Sequence, residues 1–107
     1  MPDRTDSRTT SVSWPLETGR RIFVTANFEG GRVVGVFLRG GGQVGSDIDF
    51  LLDDAAITMS RALQHGDTVT LLADGVSRSP QGVAMSLLGV VADELVILER
   101  EYAREET

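Results

Sequence analysis

One segment, residues 45–66, constrains the fold more than any other, because it reads as a single long helix with a start and a stop in its own sequence. Ser46 is a favourable N-cap residue, and Asp47 and Asp49 place negative charge in the first turn, where the helix dipole favours it. Gly66 can adopt the left-handed conformation that ends many helices. We therefore predict one helix across this segment.

The predicted helix is apolar on more than one side. Its main apolar stripe recurs at helical spacing and consists of Ile48, Leu52, Ala55, Met59 and Ala62. Leu51, Ala56 and Leu63 widen the stripe, so that mainly Asp53, Asp54, Ser60, Arg61 and Gln64 remain to face water. Such a helix needs neighbouring elements that cover it, and the flanking sequence predicts both a sheet and a second helix.

Three strands with short turns are predicted before this helix. Residues 11–17 are typical of an edge strand, residues 20–28 alternate most regularly, and residues 33–39 return as the partner strand, with Val34, Val36 and Leu38 on one face. Gly30 and Gly31 lie where a hairpin needs positive φ. The pattern predicts an antiparallel meander.

A second long helix is predicted over residues 84–104. Its apolar residues again recur at intervals of four and three and form a seam that matches the first helix: Ala84, Leu88, Val91, Leu95, Leu98 and Tyr102. Between the two helices, residues 67–74 fit either a strand or a short helix, and residues 76–81 form a loop. The predicted class is α+β, with the helices packed on one face of a three-stranded sheet.

The chain is short enough to form one domain, which we place at residues 10–103 of the 107. Residues 1–9 lack apolar periodicity and are predicted to be a disordered tail. Residues 104–107 are assigned to a C-terminal tail. Two apolar helices on so small a sheet leave apolar surface uncovered, which favours a homodimer. The candidate interface is the second helix, at Leu88, Val91, Leu95, Leu98 and Tyr102.

Charge and cysteine content exclude several classes of function. The net charge of −6 argues against binding to nucleic acid or to anionic membranes, because both are polyanions. The chain has no cysteine, which excludes disulfides, thiolate metal sites and thiol catalysis. No apolar run is long enough to cross a bilayer and the polar N-terminus does not resemble a secretion signal, so we expect a cytoplasmic protein.

A glycine-rich loop before the first helix is the one motif that suggests a ligand. Gly40, Gly41, Gly42, Gly45 and Ser46 include the spacing G-x-G-x-x-G, and backbone amides there could bind an anion such as phosphate or a nucleotide. A dinucleotide site, however, requires a parallel βαβ unit, whereas the strands predicted here form a hairpin. The alternative is a flexible connection between sheet and helix.

The acidic residues and the single histidine do not form a recognisable catalytic or metal motif. Asp49 and Asp53 lie one helical turn apart, and Glu94 and Glu99 lie on the second helix, but solvated helix faces explain all four. His65 lies near the end of the first helix, where a capping role is expected. We expect no cofactor, no metal and no catalytic residue.

The order of these elements resembles the TSCPD domain. The resemblance covers residues 12–102, and its most specific pieces are the Gly45-Ser46-Asp47 start of the helix and its Leu63-Gln64-His65-Gly66 end. TSCPD domains occur in the C-terminal region of adenosylcobalamin-dependent ribonucleotide reductases and as small free-standing bacterial proteins. The resemblance also implies that residues 67–74 form a short helix.

The chain departs from the family at the run that gives the domain its name. The Thr-Ser-Cys-Pro-Asp run corresponds here to Met85-Ser86-Leu87-Leu88-Gly89, in which only Ser86 matches. A thiol or metal role of that run is therefore absent, as are the cysteines and the cobalamin domain of a reductase. The resemblance implies a non-catalytic interaction or accessory module, associated with a ribonucleotide reductase or related proteins. A small-ligand sensor that uses the glycine-rich loop is the alternative.

Overall fold

The computed structural model describes residues 5–14, 21–40 and 47–105. The elements in chain order are β1 (Thr5–Ser13), β2 (Arg21–Glu29), β3 (Arg32–Gly40), α1 (Asp47–Gln64), α2 (Val69–Asp74) and α3 (Leu87–Glu105). The strands form one antiparallel sheet in the order β1-β2-β3. The predicted α+β class and the order of strands and helices are confirmed.

The β2–β3 hairpin turns at two glycines with positive φ, 61° at Gly30 and 85° at Gly31, as the sequence predicts. A β-bulge between Asn27 and Phe28 then shifts the register, so that Phe28 pairs with Val33. Val33 is consequently buried, and Val34 is only partly buried. The prediction that Val34 lies on the same face as Val36 and Leu38 is wrong, because the bulge inserts an extra residue into β3 between Val33 and Val36.

The first strand begins earlier than predicted. β1 runs from Thr5 to Ser13 and pairs with β2 along its whole length, from Thr5 opposite Glu29 to Ser13 opposite Arg21. The prediction of a disordered tail is therefore wrong for residues 5–9, whereas the predicted edge strand is confirmed at residues 11–13. Residues 15–17 of that prediction lie outside the described residues. The strand escapes a search for apolar alternation because serine, threonine and charged residues fill it, and backbone pairing holds it to β2.

The core fills one face of the sheet. β2 and β3 contribute Ile22, Val24, Ala26, Phe28, Val33, Val36 and Leu38, and the helices contribute Leu52, Met59, Leu63, Val69, Val91, Leu95, Leu98 and Tyr102. Each of these side chains is buried. At about 25 cal/mol per Å² of buried apolar surface, this cluster supplies most of the driving force for folding.

Helix α1 packs alongside β3 and covers its free edge. The Ser60 hydroxyl accepts a hydrogen bond from the Val36 N–H at 2.9 Å and donates one to the Val36 carbonyl at 3.2 Å. The prediction that Ser60 faces water is therefore wrong. Leu51 was predicted to widen the buried stripe, but its side chain is 58% exposed. Only one side of α1 can face β3, so the residues next to that side stay in solvent.

The C-terminus of α1 ends as predicted. Gly66 has a φ of 108°, its N–H donates to the Leu63 carbonyl at 3.2 Å, and the Asp67 N–H donates to the Ala62 carbonyl at 3.0 Å. This pair of hydrogen bonds is a Schellman motif. The predicted N-cap, Ser46, lies outside the described residues.

The ambiguous segment after α1 forms the short helix α2. The Thr68 hydroxyl accepts a hydrogen bond from the Leu71 N–H and caps its start, and Gly75 follows its end. Helix α3 packs on α2 and on all three strands, but it makes little backbone contact with α1. The two long helices therefore meet the sheet separately rather than along a shared seam. Helix α3 also continues through Glu105, so the C-terminal tail predicted from residue 104 starts too early.

Candidate functional site

The described part of the glycine-rich loop lies beside a carboxylate. Gly40 ends β3, and a Cβ atom added there would lie 3.0 Å from the Asp49 Oδ1 and 3.6 Å from the Leu52 Cδ1. The glycine thus lets β3 and the start of α1 approach closely. A carboxylate at this position disfavours a bound anion. Gly41, Gly42, Gly45 and Ser46 lie outside the described residues, so the predicted anion site remains a prediction.

An open groove extends from Gly40 over the outer face of the sheet, the face opposite the core. Its volume is about 1040 Å³, and it is lined by Thr9, Phe23, Thr25, Phe37, Leu38, Arg39, Gly40, Asp49, Phe50 and Asp53. Three phenylalanines give the groove its apolar character: Phe37 is 65% exposed, Phe50 60% and Phe23 38%. The groove brings together an apolar floor, an arginine and carboxylates at the junction of β3 and α1.

The strand register places the groove residues in rows across the outer face. Thr9 pairs with Thr25, which pairs with Phe37, and the Thr9 and Thr25 hydroxyl oxygens lie 2.9 Å apart. In the next row Phe23 pairs with Arg39. Phe37 therefore lies on β3, Phe23 and Thr25 lie on the central strand β2, and Thr9 lies on β1.

A second exposed apolar surface is carried by residues 77–85, which we call the Arg78 hairpin. Its two sides are joined by hydrogen bonds from the Ser79 N–H to the Val83 carbonyl, 2.8 Å, and from the Met85 N–H to the Ser77 carbonyl, 2.9 Å. Ala84 points towards α3, since a Cβ on Gly89 would lie 2.9 Å from its Cβ. Val83 and Met85 alternate with Ala84 and are exposed.

Arg78 holds this hairpin in place. Its guanidinium pairs with the Asp93 carboxylate of α3 through two hydrogen bonds, 2.6 Å to Oδ1 and 3.2 Å to Oδ2. It also donates to the Ala73 carbonyl of α2 at 2.7 Å and to the Gly82 carbonyl at 3.1 Å. The hydrogen bonds to Asp93 raise the pKa of Arg78, so the charge persists at every accessible pH. One side chain thus joins α2, the hairpin and α3.

A cluster of polar and aromatic side chains connects β1 with the second half of α3. Arg8 pairs with Glu105 and with Asp6, each at 2.8 Å, and its Cζ lies 5.1 Å from the centre of the Tyr102 ring. The Tyr102 hydroxyl is buried without a hydrogen-bond partner among the described residues. Burial raises the pKa of Glu94, a hydrogen bond with the Thr10 side chain lowers it, and the Glu101 carboxylate raises it. These contacts explain why β1 is ordered.

The residues predicted as a dimer interface lie mostly in the core. Val91, Leu95, Leu98 and Tyr102 are buried, and Leu88 alone is exposed, at 36%. The interface prediction is therefore corrected: a partner cannot reach four of these five side chains, because they are buried in the core that α3 forms with the sheet and α2.

His65 has a local structural contact. Its Nδ1 lies 2.8 Å from the Arg61 carbonyl oxygen, in the last turn of α1, which agrees with the predicted capping role. Glu99 accepts a hydrogen bond from the Val33 N–H at 2.8 Å. Within residues 5–14, 21–40 and 47–105, no three histidine or acidic side chains come together in a way that could hold a metal ion.

Sequence reasoning did not identify the two exposed apolar surfaces. The sequence pattern places Phe23 in a strand and gives no indication of a role for Phe37 or Phe50. Alternation was a usable signal, because it places Phe23 on the face opposite Ile22 and Val24 of β2, and Phe37 on the face opposite Val36 and Leu38 of β3. Arg78 could not be found in this way, since its partners are distant in sequence.

Comparison with known proteins gives one family. The model of the TSCPD domain matches residues 2–95 of the chain. No curated protein and no solved structure matches it. No helix in the described part of the chain combines the length and the apolarity that crossing a membrane requires.

Proposed function

The chain belongs to the TSCPD domain family, and on this premise we propose that it is a non-catalytic, cytoplasmic interaction module. Its partner is a ribonucleotide reductase or another protein of deoxynucleotide metabolism, and it acts as an accessory to that partner. The Arg78 hairpin is the contact surface for this partner.

The observation that carries the proposal is a rigidly held apolar tip. Val83 and Met85 are 62% and 59% exposed, yet the hairpin that presents them is fixed by four hydrogen bonds from Arg78. A preordered apolar contact loses little conformational entropy when a partner binds. The position of the hairpin in the sequence also supports a family function. Met85 begins the segment that corresponds to the Thr-Ser-Cys-Pro-Asp run after which the family is named.

The use of charged side chains supports a binding role rather than a catalytic one. Asp93 and Glu105 accept hydrogen bonds from arginines, Glu99 accepts one from the Val33 N–H, and His65 bonds to a carbonyl oxygen of its own helix. These contacts hold the fold together. General acid–base catalysis requires instead that such groups converge on a site that a substrate can reach.

The small-ligand alternative has no contact in its favour among the described residues. Its phosphate or nucleotide site would use Gly40 and the loop that follows, and the Asp49 carboxylate lies beside Gly40. We therefore do not propose it as a second function.

Direct binding to a purified adenosylcobalamin-dependent ribonucleotide reductase tests the proposal. We expect isothermal titration calorimetry to show saturable binding of the wild-type chain and a loss of at least about tenfold for Met85→Asp, the equivalent of about 1.4 kcal/mol. Ile57→Asp is the matched control, because Ile57 is similarly exposed but lies on α1. No binding by the wild-type chain, or equal binding by all three proteins, would contradict the proposal.

A further inference from the structure

We propose that the outer face of the sheet, together with Phe50 of α1, binds a second copy of this chain and forms a dimer with two-fold symmetry. This surface is distinct from the Arg78 hairpin, so the proposal does not depend on the function proposed above.

Neither edge of the sheet is well suited to pairing with another chain. Helix α1 covers the β3 edge, where Ser60 bonds to both backbone groups of Val36. At the β1 edge, Asp6 Oδ1 accepts from the Ser7 N–H at 2.8 Å, and Arg8 donates to the Ser7 carbonyl at 3.2 Å. Charged side chains that occupy edge groups are a common protection against strand addition. A second copy must therefore bind through a face.

The outer face has the chemistry of an interface. Phe23, Phe37 and Phe50 line the same open groove, and the described helices leave this face uncovered because they pack on the inner face and along β3. Aromatic side chains are enriched in the buried centres of interfaces. The groove is open to solvent rather than enclosed, so another protein surface can reach its aromatic side chains.

The charges around the aromatic residues point to a second copy as the occupant. Arg39 lies on β3 and Asp53 on α1, both at the groove, and neither forms an ion pair with another described residue. A two-fold axis through the groove would bring Arg39 of each copy to Asp53 of the other. Interfaces of this isologous type require a patch that complements itself, and this one carries both signs of charge beside a shared apolar centre.

The first half of α1 enlarges the contact surface that the outer face offers. Three nine-residue strands present a face of roughly 30 by 14 Å, about 400 Å² in projection. A stable interface covers about 800 Å² of accessible surface on each partner. We place the contact over the outer face and the first half of α1, because Phe50 and Asp53 line the same groove.

Sedimentation equilibrium of the full chain tests this arrangement. We expect the wild-type chain to be a dimer and Phe37→Asp to be a folded monomer by circular dichroism, with a dissociation constant raised at least about 30-fold, as for a hot-spot residue. Phe37 is exposed, so its replacement leaves the core intact. Val83→Asp is the matched control on the Arg78 hairpin and is expected to remain a dimer.

A charge exchange tests the symmetry. Arg39→Asp and Asp53→Arg are each expected to weaken the dimer, and the double variant is expected to restore it. A wild-type monomer at all concentrations, a dimeric Phe37→Asp, or a double variant weaker than both single variants would overturn the proposal. A monomeric wild-type chain that uses Phe37 to bind a different protein would also overturn it.

Discussion

The rings of Phe28 and Tyr102 lie nearly parallel, with their centres 4.1 Å apart and 10° between their planes. Phe28 belongs to β2 and Tyr102 to the last turns of α3, so the stacked pair fixes the end of the helix on the sheet. Arg8 of β1 approaches the same tyrosine ring and is held by Glu105. Tyr102 of α3 thus contacts both β2 and β1, the strand that begins earlier than the sequence predicts.

Tyr102 should contribute through its ring and not through its hydroxyl. We expect Tyr102→Ala to lower the free energy of unfolding by about 3–5 kcal/mol, as for other buried aromatic residues. Tyr102→Phe keeps the ring and removes a buried hydroxyl that lacks a partner among the described residues, so stability should be unchanged or higher. Urea denaturation measures both effects. A marked loss of stability in Tyr102→Phe would show that the hydroxyl is satisfied in solution.

Two adjacent leucines of α1 should respond very differently to the same substitution. Leu52 is 1% exposed and lies in the core, whereas Leu51 is largely in solvent. Leu52→Asp buries an unpaired charge and is expected to cost about 4 kcal/mol or more, enough to unfold much of the protein. Leu51→Asp should change stability by no more than about 0.5 kcal/mol. Thermal unfolding followed by circular dichroism compares the two, and a reversed order would mean that the helix packs on its other side.

Gly89 should not tolerate a methyl group, although it lies inside a helix. A Cβ there would approach the Ala84 Cβ to 2.9 Å and the Val76 Cγ2 to 3.2 Å. Overpacking of this kind costs about 1–3 kcal/mol, which outweighs or cancels the gain of about 1 kcal/mol in helix propensity. We expect Gly89→Ala to lower the unfolding temperature and Ala84→Gly to restore it in the double variant. A stabilised single variant would contradict the close packing.

Glu94 should make stability depend on pH. Burial raises its pKa in the folded chain, so the folded state binds the proton more tightly than the unfolded state does. The resulting stabilisation is fully present below the unfolded pKa, about 4.3, and is lost as the pH rises through the folded pKa.

The variant Glu94→Gln removes this loss. We expect it to raise the unfolding temperature at pH 7, with a gain that shrinks as the pH falls towards the unfolded pKa of the glutamate. Asp54→Asn on exposed α1 is the control, because it removes the same charge from a chain of net charge −6. If the two substitutions raise the unfolding temperature equally at pH 7, the gain comes from the change in net charge and not from the burial of Glu94.

Arg78 should be irreplaceable by lysine. A lysine keeps the charge but cannot form the two-pronged contact with Asp93 while also donating to the Ala73 carbonyl. We expect faster amide hydrogen exchange across residues 77–85 in Arg78→Lys, with exchange in β2 unchanged. Arg100→Lys, at an exposed position on α3, serves as the control. Unchanged exchange in the hairpin would show that its own backbone hydrogen bonds suffice.

Local patterns predicted much of the fold. The helical period of residues 45–66, the glycines at the β2–β3 turn and the glycine after α1 each specify a conformation through neighbouring residues alone, and the structure has all three. The family match over residues 2–95 agrees with the resemblance. The site was less predictable, because four of the five proposed interface residues belong to the core and most of the glycine-rich loop lies outside the described residues.

The sequence by itself determined the class of the fold, the order of its elements and the inner apolar face of β2, because these depend on periodicity and turn chemistry within short segments. Tertiary structure decided that β1 pairs along its full length, that Ser60 bonds to a strand edge and that Arg78 joins three elements. It also decided which apolar side chains stay exposed. The physical reason is that a hydrogen bond or a buried contact between distant segments depends on where both segments lie, and neither segment encodes that alone.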